Sequence, residues 1–209
     1  FKAYDIRGEI GVNIDEDVAY RIGRAVAQHF SAKSVVIGFD ARETSPAFSA
    51  AASRGARDAG ADVINIGMAG TEEMYWAVTE FDACAGIEVT ASHNPINYNG
   101  IKIVKSHSRP LGDASDFQVI KALAGSQDWL SVSETGKELD LSDEARKAYV
   151  DRVLSFVDVK ALRPLKVVVN SGNGAAGHTF DAIALRLLEL GAPLEFIRVR
   201  HAPDASFPN

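Results

Sequence analysis

Ser34-Val35-Val36-Ile37-Gly38-Phe39 is a short run of mainly β-branched and apolar residues, and it is typical of a buried strand. Pro46 then opens an alanine-rich helix that extends to about Ala59, where Gly60 supplies a stop signal. A second apolar run at 63–66 predicts another strand. Because a strand, a helix and a strand follow one another, this stretch predicts a parallel βαβ unit.

The same alternation extends in both directions along the chain. The predicted helices lie at 15–30, 72–81, 115–124, 143–156 and 179–190, and the predicted strands at 85–90, 101–104, 165–170 and 194–199. We therefore predict an α/β fold of mixed or parallel sheets sandwiched by helices.

Residues 125–142 are polar and lose this periodicity, which indicates a connection between two domains. We place a first domain at 1–135 and the start of a second at 136–209. Because a βαβ unit has only just begun the second domain, we expect that domain to be incomplete and the chain to be part of a longer protein.

Composition limits the classes of partner. The formal net charge of −6 argues against a broad surface for nucleic acid, although a small phosphorylated ligand needs only local cations and backbone N–H groups. No segment approaches the roughly 20 apolar residues of a membrane span. The single cysteine, Cys84, fits a reducing, cytoplasmic setting, so we expect no membrane association and a cytoplasmic location.

The segment Thr90-Ala91-Ser92-His93-Asn94-Pro95 follows a predicted strand and is made of turn formers. Ligands of open α/β sheets bind beyond the carboxyl ends of strands, where this segment lies. A serine hydroxyl in that place can accept and return a phosphoryl group. The alternative is a tight turn stabilised by Ser92 and Asn94, with His93 as an ordinary surface histidine.

Three cationic residues accompany this segment. Lys102 lies in an apolar strand and could shuttle protons, although a lysine that protects a sheet edge is the simpler interpretation. Arg42 precedes a helix start and could bind a phosphate, or its loop could simply cap that helix. Arg7 could hold a phosphate or could pair with Asp5.

A second motif competes for the functional assignment. Gly172-Asn173-Gly174-Ala175-Ala176-Gly177 matches G-x-G-x-x-G between a predicted strand and a predicted helix, as in dinucleotide-binding folds. An acidic ribose ligand should close the next strand, but Glu195 opens it and Arg200 and His201 follow it. Only an NADP-binding oxidoreductase domain would suit this pattern; the alternative is a glycine-rich structural turn.

Three segments together resemble the α-phosphohexomutase family. The segment 90–95 is similar to its phosphoserine loop, 1–8 to its opening signature, and 98–102 to its companion lysine segment, in the same order and spacing. The segments 70–75 and 170–177 are most similar to the bacterial phosphomannomutase branch that feeds GDP-mannose synthesis.

The resemblance implies a function and a set of site residues. Phospho-Ser92 would exchange its phosphate with a phosphosugar through a hexose 1,6-bisphosphate, which also serves as activator. Lys102 would be a general acid/base, and Arg7 and His93 would position the phosphoryl group with Tyr4 nearby. Asn94 would shape the loop, and the resemblance leaves Arg42 undecided. It also makes the segment 172–177 a structural turn.

The resemblance further implies an isomerase acting on mannose 6-phosphate and mannose 1-phosphate, with a phosphoglucomutase or dual-specificity enzyme as the alternative within the family. A protein that only binds phosphosugars is a further alternative. Mg²⁺ would bind through the phosphate on Ser92 and through aspartates that lie beyond residue 209. Because those ligands and two substrate loops are missing, we expect the 209-residue chain alone to be inactive.

Overall fold

The structure is a computed structural model that describes Phe1, residues 5–111, residues 113–206 and Pro208. In chain order the elements are β1 (Ile6–Glu9), α1 (Glu16–His29), β2 (Ser34–Phe39), α2 (Ser45–Asp58), β3 (Asp62–Met68), α3 (Thr71–Glu80), β4 (Ala85–Val89), β5 (Tyr98–Lys105), β6 (Arg109–Pro110), α4 (Asp113–Ser126), β7 (Glu138–Asp140), α5 (Ser142–Leu154), β8 (Leu165–Asn170), α6 (Ala176–Glu189) and β9 (Leu194–Val199).

The larger sheet is mixed, with the strand order β1-β5-β4-β2-β3-β7 and with β6 beside β5. Strands β4, β2, β3 and β7 are parallel, whereas β5 is antiparallel to both β4 and β1. The βαβ prediction for 34–66 is confirmed by the parallel pairing of β2 with β3. The reversal at β5 follows from its direct loop connection to β4, since parallel neighbours need a crossover.

Helices cover both faces of this sheet, so the first unit has three layers. One face packs against α1, α2 and α4 through an apolar core that includes Ile22, Val35, Ile37, Phe48, Ile87 and Ile120. The other face packs against α3 and α5 through a smaller core that includes Val36, Ile64, Ile66, Met74 and Ala145. The predicted α/β class is therefore confirmed. Among the described residues, no helix combines the length and apolar composition that crossing a bilayer requires.

The segment predicted as a connection contains the edge strand β7. Glu138 starts this strand and accepts hydrogen bonds from Ser53 Oγ at 2.7 Å and Asn65 Nδ2 at 3.1 Å, and it lies 3.3 Å from Arg57. Strand β7 is too short and polar for its periodicity to be visible in the sequence, and its pairing with β3 comes from these contacts. The division of domains at residue 135 stays a prediction.

The second unit consists of a parallel two-stranded sheet, β8 and β9, with α6 and the later part of α5, whose earlier part packs on the first unit through Ala145. Its own small core joins Val150, Leu154 and Leu187. It contacts the first unit at the start of α6, where Thr179 Oγ1 donates to Glu73 Oε1 at 2.7 Å and His178 Nε2 lies 2.7 Å from the carbonyl oxygen of Met68. Both helix-starting residues are therefore held by the edge of the first unit that also carries α3.

Helices α1 and α2 approach so closely that only glycine fits at their crossing. A Cβ atom on Gly55 would lie 2.0 Å from the carbonyl oxygen of Tyr20, and one on Gly23 would lie 2.1 Å from that of Ala52. Real Cβ atoms do not approach backbone oxygen this closely, so the helices would have to separate.

We expect Gly55→Ala to lower the free energy of unfolding by about 1–3 kcal/mol, because the added methyl group overpacks the α1–α2 contact. Urea titration monitored by circular dichroism measures this change. Gly125→Ala, on an exposed turn of α4 with no atom within 4 Å of the added Cβ, is the matched control and should be neutral or slightly stabilising. Equal effects of the two substitutions would contradict the prediction.

Candidate functional site

The loop between β4 and β5 holds Ser92 in a left-handed backbone conformation, with φ of 53°. Its amide donates to Thr90 Oγ1 at 2.9 Å, and the Asn94 amide donates to the Ala91 carbonyl at 3.0 Å. The left-handed region costs a serine about 1–2 kcal/mol, so neighbouring contacts must hold it there. The conformation turns the exposed Ser92 side chain outward at the carboxyl end of β4.

Arg42 supplies most of those contacts. Its Nη2 donates to the carbonyl oxygens of Ser92 at 3.0 Å and Asn94 at 2.6 Å, and its Nη1 donates to those of Pro95 and Tyr98 at 3.0 Å each. The four N–H groups at the end of the guanidinium thus bind the loop backbone. Arg42 is only 4% exposed, so these bonds lie out of competition with water.

Arg42 is itself positioned by the loop that follows β2. Asp40 Oδ1 accepts hydrogen bonds from the Arg42 amide at 3.0 Å and from Ser45 Oγ at 2.6 Å, and its other oxygen lies 3.5 Å from Arg42 Nε. Burial lowers the pKa of Arg42, the Asp40 carboxylate opposes that shift, and the nearby Arg7 adds to it. The guanidinium nevertheless stays charged at neutral pH, since arginine does not deprotonate in proteins.

The fully buried Asn99 ties this loop to β5. Its Nδ2 donates to Thr44 Oγ1 at 2.9 Å and to Ser45 Oγ at 3.1 Å, while its Oδ1 accepts from the Gly100 amide at 2.7 Å. Thr44 precedes α2 as its capping residue but caps no amide with its side chain. The capped-loop alternative for Arg42 is thus only half right, because the loop is fixed through β5.

Arg7, on β1, also binds the loop between β4 and β5. It donates to the Ala91 carbonyl and to Asn94 Oδ1, and it pairs with Asp5, whose Oδ2 lies 2.9 Å from Nε and 2.8 Å from Nη2. The pairing with Asp5 and the contact with the serine loop therefore occur together. Asn94 accepts a hydrogen bond from Arg7 on its side-chain oxygen and one from Arg42 on its backbone carbonyl oxygen, and these two bonds fix its part of the loop.

Lys102 joins the same network through Asp5. Its Nζ lies 3.8 Å from Asp5 Oδ2, and its side chain is 27% exposed. Strand β5 lies between β4 on one side and β1 and β6 on the other, so Lys102 does not protect a sheet edge. The acidic Asp5 thus connects the lysine to Arg7, which contacts the serine loop.

An open pocket of about 390 Å³ lies over the loop, lined by Arg42, residues 92–96 and Ser206. His93 Nδ1 is 3.4 Å from Ser92 Oγ, within reach of a hydrogen bond. Ser206 belongs to the second unit, so the pocket forms where the two units meet. Its cationic surroundings and exposed hydroxyl suit a phosphorylated ligand.

The structure thus brings together Arg7, Arg42, Ser92, His93 and Asn94. Lys102 is connected to this group through Asp5, which contacts both Lys102 and Arg7. Tyr4 lies outside the described residues. Sequence reasoning missed Asp40, Asn99 and the bridging role of Asp5, because each acts on a partner distant in sequence. The polar Asn99, two residues before the predicted strand at 101–104, was a local signal, since a buried amide requires partners.

The glycine-rich loop at 172–177 serves the packing of the second unit. Asn173 donates from its amide to the Arg200 carbonyl at 2.8 Å and from its side chain to the Ala202 carbonyl at 2.9 Å. A Cβ on Gly177 would lie 2.1 Å from the His201 carbonyl oxygen, so glycine permits this approach. Arg198 and His201 both pair with Asp181, at 2.7 and 2.8 Å.

Potential metal ligands are dispersed. Within residues 5–111 and 116–206, no three His, Cys, Asp or Glu side chains gather in a way that could hold a metal ion. Asp40, the carboxylate that orders the loop before α2, is bound to Arg42 and Ser45.

The architecture defines an α/β protein with a three-layered first unit, and comparisons with known proteins identify the family. A profile described as phosphoglucomutase/phosphomannomutase, alpha/beta/alpha domain I, matches residues 1–128. The chain therefore belongs to the phosphoglucomutase/phosphomannomutase family, which confirms the resemblance in its sequence.

Individual relatives agree with this assignment. The chain is 47% identical over its full length to a phosphomannomutase of Salmonella montevideo, covering 46% of that protein. It is 43% identical to phosphohexose mutases of Xanthomonas campestris, covering 45%. A crystal structure of a phosphoglucomutase/phosphomannomutase family protein from Burkholderia thailandensis superimposes with a TM-score of 0.81 at 34% identity, over 100% of this chain and 45% of that one. The chain spans about half the length of these relatives.

We expect Arg42→Lys to loosen the serine loop, because an ammonium group with three donors cannot span four carbonyl oxygens. Hydrogen exchange should accelerate at least about tenfold, equivalent to about 1.4 kcal/mol, at the amides of Ser92, Asn94 and Tyr98. Arg54→Lys, on the exposed face of α2, is the control and should leave these amides unchanged. Unchanged exchange in Arg42→Lys would show that the loop does not depend on the guanidinium.

Proposed function

We propose that the full-length protein containing this chain is a phosphomannomutase that interconverts mannose 6-phosphate and mannose 1-phosphate, with Ser92 as the phosphate carrier. Membership of the family and the phosphomannomutase relatives support the reaction class. We also infer that the protein acts in the cytoplasm and supplies mannose 1-phosphate for GDP-mannose synthesis.

The observation that carries the proposal is the conformation of Ser92. Two arginines bind the loop backbone on either side of it, and the serine side chain faces a pocket of about 390 Å³. A phosphate placed on this hydroxyl would gain the field of Arg7 and Arg42 without displacing their backbone contacts. The loop is thus ordered before substrate arrives, which lowers the cost of reaching the transition state.

The proposed reaction has two balanced steps. First, the Oγ–P bond of phospho-Ser92 breaks while an O–P bond forms to a hydroxyl of the hexose monophosphate, and the hydroxyl proton ends on Ser92 Oγ. The resulting hexose 1,6-bisphosphate reorients in the pocket. The bond between its other phosphate and the sugar then breaks while an O–P bond forms to Ser92 Oγ, and the proton on Ser92 Oγ moves to the sugar oxygen that this phosphate leaves. The same bisphosphate would activate an unphosphorylated enzyme.

The residues of the chain divide this work. Lys102 would carry the proton between sugar oxygen and Ser92, since its ammonium is partly exposed beside Asp5. His93, 3.4 Å from Ser92 Oγ, and Arg7 would position the transferring group. Arg42 and Asn94 would act through the loop backbone rather than on the phosphate. Tyr4, nearby in sequence, would complete the substrate contacts.

Magnesium would neutralise charge on the transferring phosphate. The oxygen ligands of this chain fit magnesium only in part. A phosphate on Ser92 would supply one ligand, but the described residues contain no cluster of carboxylates to supply the others. We infer that aspartates beyond residue 209 complete the site. The 209-residue chain alone should therefore be inactive, whether or not the boundary between its domains lies at residue 135.

The phosphohexose mutase relatives favour a phosphoglucomutase or dual-specificity enzyme as the alternative within the family. Competition between glucose and mannose phosphates on the full-length protein separates the two. NADP binding at 172–177 predicts a change of NADPH fluorescence on titration. We expect no change of fluorescence. The cationic Arg198 and His201 already pair with Asp181 and are therefore not available to the 2′-phosphate of NADP.

We expect incubation of the full-length protein with a hexose 1,6-bisphosphate and Mg²⁺ to place a phosphate on Ser92, and phosphopeptide mass spectrometry across residues 85–105 measures it. Ser92→Ala should lose this phosphate and lower mutase turnover by about a thousandfold or more, because the carrier hydroxyl is gone.

Ser31→Ala is the matched control, since Ser31 is also an exposed serine in the left-handed region, with φ of 46°. It should retain both phosphorylation and turnover. Full turnover in Ser92→Ala, or a stable phosphate on another residue of the loop, would refute the assignment of Ser92 and favour a protein that only binds phosphosugars.

A further inference from the structure

Glu88 is a fully buried acid that the proposed reaction does not use. It lies on β4, four residues before Ser92, and neither carboxyl oxygen has a hydrogen-bond partner among the described residues. Gly38 on the neighbouring β2 makes room for it, since a Cβ there would lie 2.6 Å from Glu88 Oε2. Buried polar groups without partners are rare in folded proteins and call for an explanation.

The surroundings of Glu88 disfavour its ionised form. Burial is the main cause that raises its pKa well above the ordinary value, and the negative fields of Asp40, Glu73 and Glu72 add to it. The titratable groups on or next to the elements packed around it are Asp40 after β2, Glu72, Glu73 and Tyr75 on α3, Lys102 on β5 and Asp5 before β1.

Lys102 is the direct cross-strand neighbour of Glu88 in the antiparallel β4–β5 pair. Directly opposed residues project from the same face of the sheet with their Cβ atoms roughly 5 Å apart, so opposite charges there attract. Yet Lys102 Nζ lies 3.8 Å from Asp5, and Glu88 is left without a partner. This arrangement is the one expected if Glu88 carries no charge.

We propose that Glu88 is a positioning residue whose uncharged side chain leaves Lys102 beside Asp5 at the mouth of the site, and whose ionisation draws Lys102 back across the β4–β5 pair. This inference rests on the proposed function only for its effect on turnover. With Glu88 neutral, Lys102 stays in the network of Asp5 and Arg7 that contacts the serine loop. With Glu88 ionised, the lysine would pair inside the sheet and leave the sugar oxygen.

The sign of the pH dependence follows from the raised pKa of Glu88. The neutral acid predominates below that pKa, and in that pH range Lys102 is available. As the pH rises through the pKa, Glu88 loses its proton to solvent and Lys102 is withdrawn. Above that point turnover should fall about tenfold per pH unit, as expected when a single ionisation controls the rate.

The test compares wild type with Glu88→Gln, which keeps the shape and neutrality of the acid. In the full-length protein, kcat/KM for mannose 1-phosphate is measured from neutral to alkaline pH. Glu88→Gln should match wild type within about threefold at neutral pH and should lose the alkaline decline that Glu88 causes. Glu80→Gln, on the exposed end of α3, is the control and should keep the wild-type profile.

Infrared difference spectroscopy between wild type and Glu88→Gln, on the 209-residue chain and on the full-length protein, gives a readout independent of turnover. At neutral pH wild type should show the carbonyl band of a protonated carboxyl that the variant lacks. An ionised Glu88 at neutral pH, or a folded Glu88→Gln that keeps the alkaline decline, would overturn the proposal.

A wild-type protein without mutase turnover would contradict the proposed function, and the infrared band would then decide the state of Glu88. If Glu88→Gln fails to fold, the alkaline appearance of a wild-type carboxylate band, together with the turnover decline at the same pH, supports the proposal. A decline that begins without that band overturns it.

Discussion

The geometry of the site depends on the hydrogen bonds between one buried guanidinium and four carbonyl oxygens of the β4–β5 loop. Arg42 reaches these oxygens from the end of another strand, and Asp40 and Asn99 fix the segments on either side. A loop of turn formers would otherwise sample many conformations, and serine would rarely choose the left-handed region. The exposed hydroxyl of Ser92 is therefore a property of the whole first unit rather than of its own loop.

Charges are distributed unevenly around this loop. The cations Arg7, Arg42 and Lys102 lie around the loop that carries Ser92. Asp5 pairs with Arg7 and Lys102, and Asp40 pairs with Arg42. A further acid, Glu88, is buried on β4, where burial raises the pKa of its carboxyl well above the ordinary value and so favours the uncharged form. Carboxylates that are bound or neutral do not repel an incoming phosphate as free ones would, so an acidic protein can still present a cationic pocket.

The second unit contributes to the site from a distance. The start of α6 is held against the first unit by Thr179 and His178, and Ser206 reaches the pocket over the serine loop. Burial raises the pKa of Glu73 and lowers that of His178, so this contact is desolvated.

The sequence by itself determined the order of the six α-helices and of the longer strands, the α/β class and the segment that carries Ser92, because periodicity, turn residues and helix caps act within a few neighbouring positions. It did not predict the short strands β1, β6 and β7. It also carried the family signature, which the domain profile confirmed for residues 1–128. Only the tertiary structure decided that β5 runs antiparallel, that β7 joins the first sheet, that Arg42 binds four carbonyl oxygens of the serine loop, and that Glu88 has no hydrogen-bond partner among the described residues. Each of these depends on which residues, often fifty or more positions apart, share one desolvated environment, and no local pattern encodes that.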